Sequence, residues 1–194
     1  GKRLSPTRVG VSSVDHHLSH AASAYYFAPA EFKNNALVIT LDGQGDGSFS
    51  KVFTSAGNLL EERLSSGPDA SLPLLFSIAT AAIGFTPNSD EGKLEALAAF
   101  GDSSEGNSVY AILKNSFFLD RELKISLSSN SAFPFSNISE QWNSVLAFFE
   151  RAVEATSKEF VAAGVQQFYE DFILSYIEAL REKFGGRNLC LAGG

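Results

Sequence analysis

The sequence predicts an α/β fold in which a mixed sheet is flanked by helices, and three features carry that expectation. Residues 35–41 (Asn-Ala-Leu-Val-Ile-Thr-Leu) form an unbroken apolar run of strand length, of the kind covered on both faces. A helix-compatible segment precedes this run and two strand-like segments follow it. The second half of the chain is largely helical in pattern and returns to a strand at residues 188–191.

Taken in order, residues 8–14 (Arg-Val-Gly-Val-Ser-Ser-Val) read as a short strand after Pro6. Asp15 fits an N-cap, and the helix of residues 16–27 ends before Pro29. After the buried strand, residues 42–47 (Asp-Gly-Gln-Gly-Asp-Gly) read as a turn, residues 48–54 as a second strand and residues 59–64 as a third, with a turn at Ala56-Gly-Asn58. Residues 8–66 thus make a strand–helix–meander unit, and residues 67–194 a mainly helical part ending in a strand. Within it, residues 72–83 predict a buried helix, and residues 90–100 a second one stopped by Gly101. Residues 103–138, with a Ser/Asn-rich patch at 126–131, read as an irregular excursion. Residues 139–184 return to helical periodicity with a break expected near Gly164. Phe168, Phe172, Ile173, Tyr176, Ile177 and Leu180 recur at spacings of three and four, the stripe of a helix packed on a sheet, and Gly185-Gly186 cap it.

With 194 residues, 44% hydrophobic and 19% charged, the chain has the size and composition of a single globular domain. Its 15 Lys and Arg against 22 Asp and Glu give a net charge of −7, with no basic run, which argues against a nucleic-acid partner. Small anions remain eligible ligands, because backbone N–H groups and metals bind them without a basic surface. The single cysteine, Cys190, lies in an apolar strand-like run and reads as a small buried hydrophobe. No stretch reaches the roughly 20 apolar residues of a membrane span, so no membrane partner is expected and a cytoplasmic address is the default. The chain contains no Met and stops at Leu191-Ala-Gly-Gly194 directly after a strand-like run, which reads as an internal fragment of a domain.

All three histidines fall within Asp15-His-His-Leu-Ser-His20. His16 and His20, at i and i+4, share a helix face and can address one cation. His17 points about 100° away, and is a candidate for a substrate-facing or supporting role. Two histidines leave a zinc or iron(II) site short of a ligand; Asp42, ending the buried strand, is the candidate third. The alternating glycines of Asp42-Gly-Gln-Gly-Asp-Gly47 would let a ligand approach the backbone closely and turn N–H groups toward phosphate. A plain hairpin turn accounts for them equally. In Asn88-Ser-Asp-Glu-Gly-Lys93, Asp90 and Glu91 suit a helix N-terminus and Lys93 could pair with an anionic ligand or with solvent.

Four segments combine in order: residues 14–24 (Val-Asp-His-His-Leu-Ser-His-Ala-Ala-Ser-Ala), Leu41-Asp-Gly-Gln-Gly-Asp46, Asp90-Glu-Gly-Lys93 with Leu97-Ala-Ala-Phe-Gly101, and Asn188-Leu-Cys-Leu-Ala-Gly-Gly194. Together they resemble the NodU/CmcH carbamoyltransferase family, over residues 9–194, in the central part of its N-terminal domain. That family includes nodulation-factor and antibiotic O-carbamoyltransferases and is related to the tRNA threonylcarbamoyl-transfer protein. The resemblance implies an actin-like, ribonuclease H-like ATPase fold. It implies a carbamoyl-adenylate made from ATP and carbamoyl phosphate, with transfer to the hydroxyl of a small-molecule acceptor.

The resemblance further implies a divalent metal, iron or zinc, on His16 and His20, with Asp42 as the acidic residue of the phosphate loop. Gly193 and Gly194 match the start of a nucleotide-binding turn, and Gly43, Gly45, Asp46 and Lys93 are the other nucleotide-contact candidates. In this reading the metal acts on phosphate oxygens as Lewis acid and template, and His17 is the candidate general base for the acceptor. Two departures stand out: Gly-Lys-Leu-Glu-Ala-Leu-Ala at residues 92–98 where the family reads Gly-Lys-Val-Met-Gly-Leu-Ala, and Asp46 where Glu is common. A further metal-binding Asp is expected beyond Gly194, together with the adenylate-forming domain, so residues 1–194 alone are expected not to turn over. A threonylcarbamoyl-transfer or kinase-like relative of the same fold, and a non-catalytic nucleotide- or metal-binding module, are the rival readings.

Overall fold

The computed structural model describes residues 11–102, 107–129 and 137–194. In chain order these form α1 (His16–Phe27), β1 (Ala36–Gly45), β2 (Ser48–Ala56), β3 (Leu59–Ser66), α2 (Leu72–Ala82), α3 (Glu91–Ala98), α4 (Ser108–Ser116), β4 (Phe117–Leu119), β5 (Ile125–Leu127), α5 (Trp142–Ala155), α6 (Lys158–Phe184) and β6 (Asn188–Gly193). The main sheet is mixed, in the order β3-β2-β1-β6, with β1–β2 and β2–β3 antiparallel and β1–β6 parallel. Helices cover both of its faces.

Strand alternation divides the core. Leu37 and Ile39 point into a large cluster with residues of α2 to α6, while Ala36 and Val38 point to α1, where Ala21, Tyr25, Phe53 and Cys190 close a smaller one. That double covering is why the run 36–40 is apolar at every position but Thr40. Cys190 is 7% exposed, and burial pushes its thiol pKa up, which makes it the inert packing residue expected.

Several expectations need correction. Residues 11–14 form no strand, and residues 8–10 lie outside the described residues. Residues 42–45 are not a turn: β1 continues through them to Gly45, with a register shift against β2 between Leu41 and Gly45, and only Asp46-Gly47 turn the chain. The span 103–138 holds α4 and the β4–β5 hairpin, with Val109, Tyr110 and Leu113 buried; residues 103–106 and 130–136 lie outside the described residues.

The helical break also moves. It falls at Thr156-Ser157, where the Ser157 side chain caps α6, and Gly164 lies inside that helix. A Cβ at Gly164 would stand 2.4 Å from Asn107 Oδ1, so the glycine marks a close helix crossing. Taken whole, α6 lies mainly along α3 and α4, while within the stripe Tyr176 lies beside Ser50 and Ser66 of the main sheet and Phe168 and Phe172 meet Phe117 of β4.

Candidate metal centre and adjoining cleft

The start of α1 is fixed to the sheet by charge. Asp15 Oδ1 accepts from the Leu18 N–H at 2.8 Å, and Lys51 Nζ bridges Asp15 Oδ2 (3.0 Å) and Glu62 Oε2 (3.1 Å). Burial pushes the Asp15 carboxyl up, but the Leu18 N–H and the Lys51 ammonium outweigh it and hold its pKa below the usual value. With the helix start so placed, His16 and His20 face the irregular segment of β1.

Asp42 lies in that irregular segment, where departure from the β2 ladder re-aims side chains. Its Oδ2 is 2.8 Å from His16 Nε2 and 3.0 Å from His20 Nε2, and the two imidazole nitrogens are 3.2 Å apart. The side chains are 42% (His16), 34% (His20) and 25% (Asp42) exposed, open enough for an ion to enter. Burial raises the Asp42 carboxyl, yet the His16 hydrogen bond, the Gly43 N–H and the charges of His16 and His20 bring its pKa below the ordinary value. An ionised carboxylate is what a cation needs.

These residues fit a divalent ion. Their ligand atoms lie within 4.8 Å of one another, and ligand atoms at zinc distances of 2.0–2.2 Å in a tetrahedron stand about 3.4 Å apart. Three protein donors would leave room for a further ligand on such an ion.

His17 is elsewhere. It is fully buried, with Nδ1 2.9 Å from Thr40 Oγ1 and Nε2 3.0 Å from the Ser48 carbonyl. Both ring nitrogens are engaged inside the fold, so this geometry leaves none to take an acceptor proton.

Of the glycine-loop residues, only Gly43 joins Asp42 in lining a cleft of about 670 Å³ at the C-terminal ends of the parallel strands β1 and β6. Such strand ends are where open α/β sheets bind ligands. The Gly43 N–H is turned to Asp42 Oδ1, and its carbonyl accepts from Ser71 Oγ, tying the loop to the start of α2. Gly193 and Gly194 line the same cleft. At Gly193, φ is +120° and a Cβ would collide with the Leu41 carbonyl, so that position demands glycine.

Gly45 lies under the His16 ring and Asp46 Oδ2 accepts the His16 N–H at 2.7 Å, so neither lines the cleft. Lys93 is also outside it, paired with Asp90 at 2.9 Å above the Phe85 ring.

The cleft includes groups that sequence reasoning did not select: Ser77, Asn88, Glu91 and Tyr169 among walls of Leu72, Leu74, Phe76, Ile173 and Leu191. Glu91 Oε1 accepts from Ser77 Oγ and from the Asn88 N–H. Burial raises its carboxyl, but Ser77 and the N–H groups at the start of α3 hold its pKa below the usual glutamate value. The motif Asp90-Glu-Gly-Lys93 did mark this helix start. Positions two apart on a helix lie about 200° apart, so Glu91 and Lys93 could not both face the cleft. Burial raises the Tyr169 hydroxyl well above its ordinary pKa.

Comparison with known proteins gives this geometry a context. The chain is 34% identical over 203 residues to an uncharacterized protein of Methanocaldococcus jannaschii, covering 96% of this chain and 31% of that one. It is 32% identical over 186 residues to an uncharacterized protein of Synechocystis sp., covering 93% and 29%. A 128-residue stretch, 62% of this chain and 18% of the relative, is 30% identical to the nodulation protein NolNO of Sinorhizobium fredii. The chain therefore spans about a third or less of the length of these relatives. A family model described as carbamoyltransferase N-terminus matches residues 3–194, and the chain belongs to that family.

Proposed function

We propose that this chain is the metal- and nucleotide-binding part of an enzyme that moves a carbamoyl group from carbamoyl phosphate, through a carbamoyl-adenylate made with ATP, to the hydroxyl of a small-molecule acceptor. The observation that carries the reading is the meeting of His16, His20 and Asp42 beside a cleft between the C-terminal ends of β1 and β6. Membership of the carbamoyltransferase N-terminus family supplies the reaction class. The order β3-β2-β1 of antiparallel strands with β6 parallel to β1 supports an actin-like, ribonuclease H-like reading of the sheet.

In this reading a divalent ion, iron or zinc, held by His16, His20 and Asp42 supplies a Lewis acid and a template for phosphate oxygens. Without the ion, one carboxylate oxygen of Asp42 pairs with the Nε2 atoms of both imidazoles, the same atoms an ion would take. Gly43, Gly193 and Gly194 present bare backbone, so the phosphate portion of a nucleotide can approach closely. Ser77, Asn88 and Glu91 offer hydrogen-bonding groups farther along the cleft, and the apolar walls limit water, which would otherwise hydrolyse an activated carbamoyl group. His17 holds α1 in place and is given no part in proton transfer.

The test uses a polypeptide of the relatives' length, supplied with ATP, carbamoyl phosphate and hydroxyl acceptors. Asp42→Asn keeps the shape and removes the charge, so carbamoylated product by mass spectrometry should fall on the order of 100-fold, with the melting temperature nearly unchanged. Near-normal product from a stably folded variant would rule the reading out.

A further inference from the structure

The corner of the β1–β2 hairpin fits tightly against the first residue of α1. Gly45 is buried, and a Cβ there would stand 2.2 Å from His16 Cδ2 and 2.6 Å from Cγ. Its φ lies outside the left-handed region, so space rather than backbone conformation excludes a side chain. The next residue, Asp46, has φ +49°, a conformation Asp tolerates better than most, and this turn aims its carboxylate back at the helix. Asp46 Oδ2 takes the His16 N–H at 2.7 Å, one of the donors a helix start leaves unpaired. His17, buried between Thr40 and Ser48, fixes the same helix turn to the same two strands. The His16 backbone is therefore held from the strand side, and its ring is confined between the bare Gly45 and Asp42.

We propose that Gly45 and Asp46 are positioning residues that seat the His16 imidazole against Asp42, Gly45 by leaving the ring its space and Asp46 by holding the backbone beneath it. The seat converts a flexible ligand into an oriented one, as supports around metal ligands do. It also accounts for two loop residues that contact the helix and not the cleft. The consequence for metal affinity rests on the metal reading above; the seat itself does not.

The experiment titrates Zn(II) and Co(II) into wild type, Gly45→Ala, Asp46→Ala and Asp46→Asn. It also records proton–nitrogen NMR spectra of the imidazoles without metal, beside melting curves. Gly45→Ala should weaken Zn(II) binding about 10- to 100-fold and alter the Co(II) absorption spectrum. Its melting temperature should fall only modestly, because the His16 ring, 42% exposed, can swing into water, and His16 Cβ, at 3.0 Å from the added methyl, must give by only a few tenths of an ångström. Asp46→Ala should weaken binding as well, and Asp46→Asn, whose amide oxygen still accepts the His16 N–H, should restore it. Wild-type affinity and an unchanged Co(II) spectrum in Gly45→Ala overturn the proposal; should that variant not fold, Asp46→Ala at its exposed turn decides in the same way. If wild type itself takes up no Zn(II), the metal reading is lost and the metal-free spectra decide the seat. His16 ring signals must then move in Gly45→Ala while those of His17 stay, and unmoved His16 signals overturn it.

Discussion

Residues 17, 21 and 25 lie at intervals of four on α1, and His17, Ala21 and Tyr25 are all buried against the sheet. His16 and His20 hold the same interval one residue earlier and therefore face the edge of the contact, where Asp42 meets them. Two adjacent histidines thus carry opposite expectations. His17→Ala empties a closed site and leaves the Ser48 carbonyl without its partner, a cost of about 3 kcal/mol and roughly 10 °C of melting temperature. His16→Ala removes a half-exposed ring whose pair with Asp42 is worth at most about 1 kcal/mol, so melting should move by no more than about 4 °C. Thermal melting followed by circular dichroism separates the two, and equal losses would contradict the placement. The meeting of His16, His20 and Asp42 was legible in the sequence because an i, i+4 pair and a carboxylate following an apolar run are local signals. The buried stripe was equally legible, since the same interval of four runs from His17 to Tyr25, but three clustered histidines draw the reading toward chemistry.

At the scale of elements, α1 and the three-strand meander were readable from caps, β-branched runs and glycine turns. β1 outran its expected end because Asp42-Gly-Gln-Gly45 has turn composition while the paired backbone resumes at Gly45. The missed α4 has an Asn107 cap and buried Val109, Tyr110 and Leu113, a short amphipathic pattern set among Ser and Asn residues. Gly164 was misread because a glycine in a helical pattern signals either a break or a close contact, and only the partner, Asn107, distinguishes them. Gly164→Ala should therefore destabilise: helix propensity favours the change by up to about 1 kcal/mol, but overlap in a packed crossing costs about 1–3 kcal/mol. A denaturant titration in which Gly164→Ala gained stability would show that the crossing is loose.

The start of α3 carries a pH signature. The Glu91 pKa lies below its ordinary value of 4.5, so its stabilisation is complete above that value and is lost as pH falls through the lower folded value. Glu91→Gln should melt about 3 °C below wild type near pH 7 and converge with it as the pH falls below the lowered Glu91 pKa. A gap that persisted unchanged in acid would assign the effect to packing.

Over the whole molecule, the site depends on a pairing no local pattern reveals. β1 and β6 come from opposite ends of the described chain, and their register sets Leu41 opposite Gly193, bringing the Asp42 loop and the Gly193-Gly194 turn to one cleft. Among the described residues, the same topology puts α1 on one face and the larger helical layer on the other. The motifs could be read as chemistry, whereas the contribution of Ser77, Asn88, Glu91 and Tyr169 to the cleft arises only when α2, α3 and α6 pack together. No helix among the described residues is long and apolar enough to cross a membrane. Zinc titration by calorimetry, paired with melting, tests most directly whether α1 and β1 together build a divalent-cation centre. Wild type should bind Zn(II) stoichiometrically through His16, His20 and Asp42. At about 100 times Kd, binding should add about 2.7 kcal/mol, raising the melting temperature by roughly 5–10 °C. His20→Ala should remain folded and show neither the binding nor the shift; equal affinity and equal stabilisation in wild type and His20→Ala would contradict the account.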